Sequence, residues 1–185
     1  MAMMHHPTLK LNRLMTIAFF VISTLTQPIF AENASPDTNL EELEKGHIHH
    51  DHANEIGMAA AYAYMEPEGE SAFGLHLHLM RRLQGESFKK YFGLGAGFET
   101  IFADHMHYNV MGSIAVYPYR DLVVVLSPGI LFVEHNDELK ERYSTHLEAV
   151  YGFLFGGCEI GPVIGIAQSG DDTHYTIGIH LGKGF

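Results

Sequence analysis

The stretch Tyr175-Thr176-Ile177-Gly178-Ile179-His180-Leu181-Gly182-Lys183-Gly184-Phe185 alternates with period two. Tyr175, Ile177, Ile179, Leu181 and Phe185 fall on one face, and Thr176, Gly178, His180, Gly182 and Gly184 on the other, as in a β-strand. The asymmetry decides the fold: large apolar side chains line one face, and small or polar ones the other. Reading back towards Glu55, the same asymmetry recurs in segments of about ten residues separated by short polar turns. The predicted strands are Glu55–Met65, Ala72–Leu83, about Tyr91–Phe102, His107–Tyr117, Leu122–Glu134, Tyr143–Phe155, Glu159–Ser169 and His174–Phe185. None of them shows a helical period, so the domain reads as all-β.

Packing volume then separates two barrels. A soluble one would put the large residues inside and present Gly, Ala and His to water. An eight-stranded barrel has an interior only just filled by side chains, and these Leu, Ile, Val, Phe and Tyr residues are too many for it. The reverse arrangement fits: large apolar side chains face lipid, and small or polar ones fill a narrow lumen. Closure also removes sheet edges, which a bilayer demands because an unpaired N–H costs several kcal/mol there. Tyr and Phe gather near predicted strand ends, among them Tyr64, Phe73, Tyr117 and Tyr143, as an interfacial girdle should. The expected fold is an eight-stranded, antiparallel, up-and-down transmembrane β-barrel over 54–185.

Composition agrees. Of 185 residues, 46% are hydrophobic and 18% charged, which excludes a disordered chain. A net charge of −11 argues against a nucleic-acid partner. The lone Cys158 excludes an internal disulfide or a Cys-rich zinc site. Residues 1–31 read as an export signal: Lys10 and Arg13, then the apolar run Leu14–Leu25, then a cut after Ala31. That run is too short to span a bilayer as a helix. The leader holds Lys10 and Arg13 but no acid, so its removal takes the charge from −11 to −13. Residues 32–53 read as a flexible, acidic, His-rich segment. Pro128 and Pro162, each beside a glycine, fall inside predicted strands and suggest bulges or bends.

With its leader, alternating segments and terminal Phe185, the chain resembles the small outer-membrane β-barrel proteins of Gram-negative bacteria, including a His-rich subgroup without assigned function. The resemblance implies an outer-membrane location, contact with outer-membrane lipid, and a monomer. It also implies recognition of the Phe185 ending by the outer-membrane insertion machinery. Both termini would then face the periplasm. The outer loops would be 66–71, 103–106, 135–142 and 170–173, and the inner turns 84–90, 118–121 and 156–158.

Fourteen histidines make the sequence unusual. Alternation turns His76, His78, Glu99, His146, Glu148 and His180 into the lumen, a ligand set suited to Zn²⁺, Ni²⁺, Cu²⁺ or Fe²⁺. A hydrogen-bonded polar plug made of the same residues is the alternative. Lower in the lumen lie Glu55, Arg82 and Glu159, of which Glu55 and Arg82, on adjacent strands, read as a structural ion pair. The tail residues His47, His49, His50 and His52, with Asp51, form a second, weaker metal-binding tract or a solvated linker. His105 and His107 near Asp104 are a weak candidate at the outer rim. A lipid A acyl-modifying enzyme is the rival from another class, with Ser144/His146 and Ser169/His174 as its nearest Ser/His pairs. No nucleophile motif supports it, so no enzyme is expected. A passive structural, adhesive or small-diffusion barrel is the remaining alternative.

Overall fold

A computed structural model describes residues 52–185 except 68, 85, 86, 104, 120, 136 and 137. The expected leader and most of the His-rich segment, including His47, His49 and His50, lie outside the described residues.

The strands are β1 (Asn54–Glu66), β2 (Glu70–Arg82), β3 (Phe92–Phe102), β4 (Met106–Tyr119), β5 (Leu122–His135), β6 (Glu138–Tyr151), β7 (Phe153–Phe155), β8 (Cys158–Ser169) and β9 (Asp172–Gly184). Both β6 and β7 pair with β8, so together they form one stave and the barrel has eight. Each stave runs antiparallel to the one before it, and β9 returns to β1 to close the sheet. Reciprocal backbone hydrogen bonds clasp the ends: Phe185 N to Asn54 O at 2.9 Å and Asn54 N to Phe185 O at 3.2 Å. The expected eight-stranded, up-and-down architecture is the one the chain forms.

Alternation sets what each face shows. Ile177 and Ile164 on the outside are 63% and 57% exposed, whereas Val163 and Ala59 on the inside are 3% and 4% exposed. Such a band of outward Leu, Ile, Val, Phe and Tyr on a closed sheet defines a transmembrane barrel. Inside, apolar residues gather in two clusters. Met80, Tyr117 and Val123 pack towards the end that carries Asn54 and Phe185, and Met65, Ala72 and Ile101 towards the other. Most of the imidazoles and carboxylates lie between these two seals.

The structure corrects several boundaries. The polar run expected as the loop 135–142 is instead hairpin: β5 and β6 stay paired through Leu131↔Arg142 to His135↔Glu138. Cross-strand pairing carries these polar residues because the ladder needs only backbone groups. The turns at 156–158 and 170–173 are tighter than expected, since Phe155 pairs Cys158 and Ser169 pairs Asp172. Gly156 and Gly157 occupy the first of these with φ of 61° and 79°, a left-handed pair that side chains avoid. The connection at 84–90 holds a short 3-10 turn, Ser87–Tyr91.

Neither proline makes a bulge. Beside Pro128, the β4–β5 ladder lapses between Met111↔Gly129 and Ile114↔Leu126, yet the register is the same on both sides. Opposite Pro162, the sixth stave breaks at Gly152, and Val150↔Val163 and Phe153↔Ile160 again share one register. A missing N–H therefore opens a gap without inserting a residue. The gap at Pro128 is bridged inside the lumen by a Ser113 Oγ–Ser127 Oγ hydrogen bond of 2.8 Å. The real register shift lies lower, between Val116 and Tyr119.

Candidate functional site

The polar lumen residues come from strand positions that the register lines up. His180 pairs with Ala59, Ala59 with His76, His76 with Glu99, and Glu99 with Asn109, a single row crossing β9, β1, β2, β3 and β4. Alongside it, Gly182 pairs with Gly57, Gly57 with His78, and His78 with Gly97. The glycines are spaces for imidazoles. A Cβ at Gly57 would strike the His78 ring and come within 2.6 Å of His180 Nε2. A Cβ at Gly97 would stand 2.8 Å from His76 Nε2.

All six lumen residues expected from the sequence face inward, but they do not form one patch. They divide into two groups and a pair. In the inner group, near the barrel termini, Glu55 Oε1 lies 3.6 Å from His78 Nε2 and 3.7 Å from His180 Nε2. The two rings stack with centroids 5.1 Å apart and planes 9° from parallel. Glu159 Oε1 stands 4.0 Å from His180 Nδ1. These ligands come from four consecutive staves, β8, β9, β1 and β2. A cavity of about 30 Å³ adjoins them, room for a water molecule or an ion. Both ring nitrogens of His180 are buried without a hydrogen-bond partner.

In the second group, towards the opposite end, Glu99 Oε2 lies 3.2 Å from His146 Nε2 and 4.0 Å from His174 Nε2. Asn109 Nδ2 contacts His146 Nε2 at 2.9 Å, and Ser144 donates its hydroxyl to Asn109 Oδ1 at 3.0 Å. Between the groups, His76 Nδ1 and Glu148 form a pair at 3.1 Å.

Four residues differ from the sequence reading. Glu55, expected to pair with Arg82, faces His78 and His180. Arg82 donates Nε to the Lys90 carbonyl at 2.7 Å and lies 4.6 Å over the Tyr117 ring. His174 and Asn109 join the polar lumen, although neither was singled out as a ligand. His174 shares the even-numbered face of β9 with His180, so strand parity already carried that signal. Asn109 had no such marker. Of the tail histidines, His52 is described: it is exposed, and a Cβ on Gly184 would crowd its ring.

Fold and lumen together define a narrow, side-chain-filled transmembrane β-barrel. Among solved structures, the chain is similar to Neisserial surface protein A (NspA), with a TM-score of 0.56 and 9% identity over 72% of this chain and 97% of that one. Two structures of Ail, the attachment invasion locus protein of Yersinia pestis, also align. The one bound to the heparin analogue sucrose octasulfate is 14% identical and the other 13%, each with a TM-score of 0.48 over 71% of this chain and 97% of Ail. No family model and no curated protein sequence matches the chain. At these identities the likeness is one of fold.

Proposed function

We propose that this chain is an outer-membrane barrel of a Gram-negative bacterium whose lumen binds a divalent transition-metal ion at Glu55, His78 and His180. In this reading Phe185 serves insertion, both barrel termini face the periplasm, and Glu159, on the Nδ1 side of His180, is an outer partner of that ring. The observation that carries it is His180, which has two buried, unpartnered nitrogens facing carboxylates beside an ion-sized cavity. A buried ring nitrogen without a partner costs about 1–3 kcal/mol; a cation would take the Nε2 lone pair and leave the Nδ1–H turned to Glu159. The Glu55–imidazole separations of 3.6 and 3.7 Å need close by only a few tenths of an ångström to reach the edge, about 3.3–3.4 Å, of a tetrahedron with bonds of about 2.0–2.1 Å. Imidazole and carboxylate donors suit Zn²⁺, Ni²⁺, Cu²⁺ or Fe²⁺, and three protein ligands leave a position open for exchange.

A polar plug is the second reading, favoured by the hydrogen-bonded Ser144–Asn109–His146 chain. The enzyme reading gains little, because the Ser144 hydroxyl is buried and already given to Asn109. Visible absorption of refolded protein titrated with Co²⁺ separates the first two. Strong four-coordinate bands that weaken in His180→Ala support metal binding at this site, and their absence in the parent supports the plug.

A further inference from the structure

We propose that Glu99, His146 and His174 form a second divalent-metal site towards the outer end of the lumen, so that the barrel holds two stations in series. The two-station arrangement rests on the inner-site reading above; the outer site itself stands on separate residues. Its ligands come from β3, β6 and β9, staves that are not neighbours, and they meet only because the lumen is narrow. All three side chains are buried, and one donor atom from each lies within 4.8 Å of the others. Both imidazole Nε2 atoms lie near the same carboxylate oxygen, Glu99 Oε2, at 3.2 and 4.0 Å. That oxygen and His174 Nε2 are buried without a hydrogen-bond partner. The two rings meet edge to face, with centroids 5.1 Å apart and planes at 71°, so neither blocks the other's nitrogen.

In a plug built for stability, these atoms would be satisfied like the neighbouring amide and hydroxyl groups. Instead the hydrogen bonds stop one atom short. Asn109 reaches His146, and Ser144 holds Asn109, but nothing closes the gap between Glu99 and His174. A divalent cation bound by the three would neutralise the buried carboxylate and use both nitrogens. Asn109 would give up His146 and stay held by Ser144, as outer partners of metal ligands commonly are. The His76–Glu148 pair lies between this station and the inner one. It supplies a carboxylate and an imidazole that an ion passing between them would meet.

Metal analysis after equilibrium dialysis against Zn²⁺ tests this. The protein is the full mature chain with His47, His49, His50 and His52 replaced by Ser, refolded and checked by heat-modifiable mobility. Two equivalents are expected in this parent, one in His174→Ala and one in His78→Ala. Glu99→Gln, which keeps the shape and removes the charge, should match His174→Ala. If the parent holds one equivalent that His78→Ala removes and His174→Ala leaves, the outer site is overturned while the inner one stands. If His174→Ala and Glu99→Gln remove the bound ion while His78→Ala changes nothing, the inner reading fails and the outer site stands. Absence of bound zinc overturns both.

Discussion

His76 on β2 and Glu148 on β6 meet at 3.1 Å across the full width of the lumen, from staves diametrically opposite in the closed sheet. That contact fixes the character of the interior. A barrel in which opposite walls touch through side chains is a packed core turned inside out. Its polar groups must satisfy one another or an ion.

The pair makes the first prediction. Removing one partner strands the other's buried polar or charged group, so His76→Ala should lower the unfolding free energy by about 3–5 kcal/mol. The double variant His76→Ala/Glu148→Ala should recover part of that loss. Urea titration in lipid vesicles measures both. Strictly additive losses would show that the two side chains are not coupled.

The facing assignment makes the second. Leu77 is 46% exposed on the outward face of β2, beside the inward His76 and His78. Leu77→Arg at mid-membrane should destabilise the inserted barrel by roughly 2–4 kcal/mol. His78→Gln, which changes a lumen residue, should cost far less. Equal losses in the same titration would contradict the assignment.

Most of the fold was legible because the bilayer imposes a strong signal on alternate residues. Ile177, Ile179 and Leu181 could face only lipid, and Gly178, His180 and Gly182 could face only a crowded lumen. The hairpin at 135–142 was not legible. Its strands rise on backbone pairing, with Lys140, Glu141 and Arg142 giving no apolar face to read. Arg142 is bound to Asp172 of β9 there. The lumen was half legible. Parity turns each histidine inward, but which carboxylate it meets depends on stagger and on contacts across the barrel. So the sequence joined six residues that the structure separates, and paired Glu55 with Arg82.

Close backbone approach makes a third prediction. A Cβ on Gly161 would collide with the Tyr151 backbone opposite the break in the sixth stave. Gly161→Val should therefore destabilise by about 1–3 kcal/mol through overpacking. Hydrogen exchange should show early loss of protection in β6 and β8. Unchanged protection there would place the break elsewhere.

Gly57 makes a fourth, at the inner site itself. Its added methyl in Gly57→Ala would push His78 and His180 apart without removing a ligand. Displacing ligands through their surroundings commonly costs 10–100-fold in metal affinity, and that loss is expected in a Zn²⁺ titration. Unaltered affinity would mean that these rings do not hold the ion.

The central claim is that the inner lumen residues Glu55, His78 and His180 bind a divalent metal, and Zn²⁺ calorimetry as a function of pH tests it most directly. The protein is the mature chain with His47, His49, His50 and His52 changed to Ser, so that tail ligands cannot compete. The ligand is neutral imidazole, so protonation competes with zinc. Affinity should be micromolar or tighter at neutral pH. It should weaken as pH falls, because protons compete with zinc for each coordinating imidazole. In His180→Ala the binding assigned to the inner station should be lost. Zinc binding absent at every pH would contradict the account and leave the lumen as a hydrogen-bonded plug, and binding indifferent to His180→Ala would contradict the inner site.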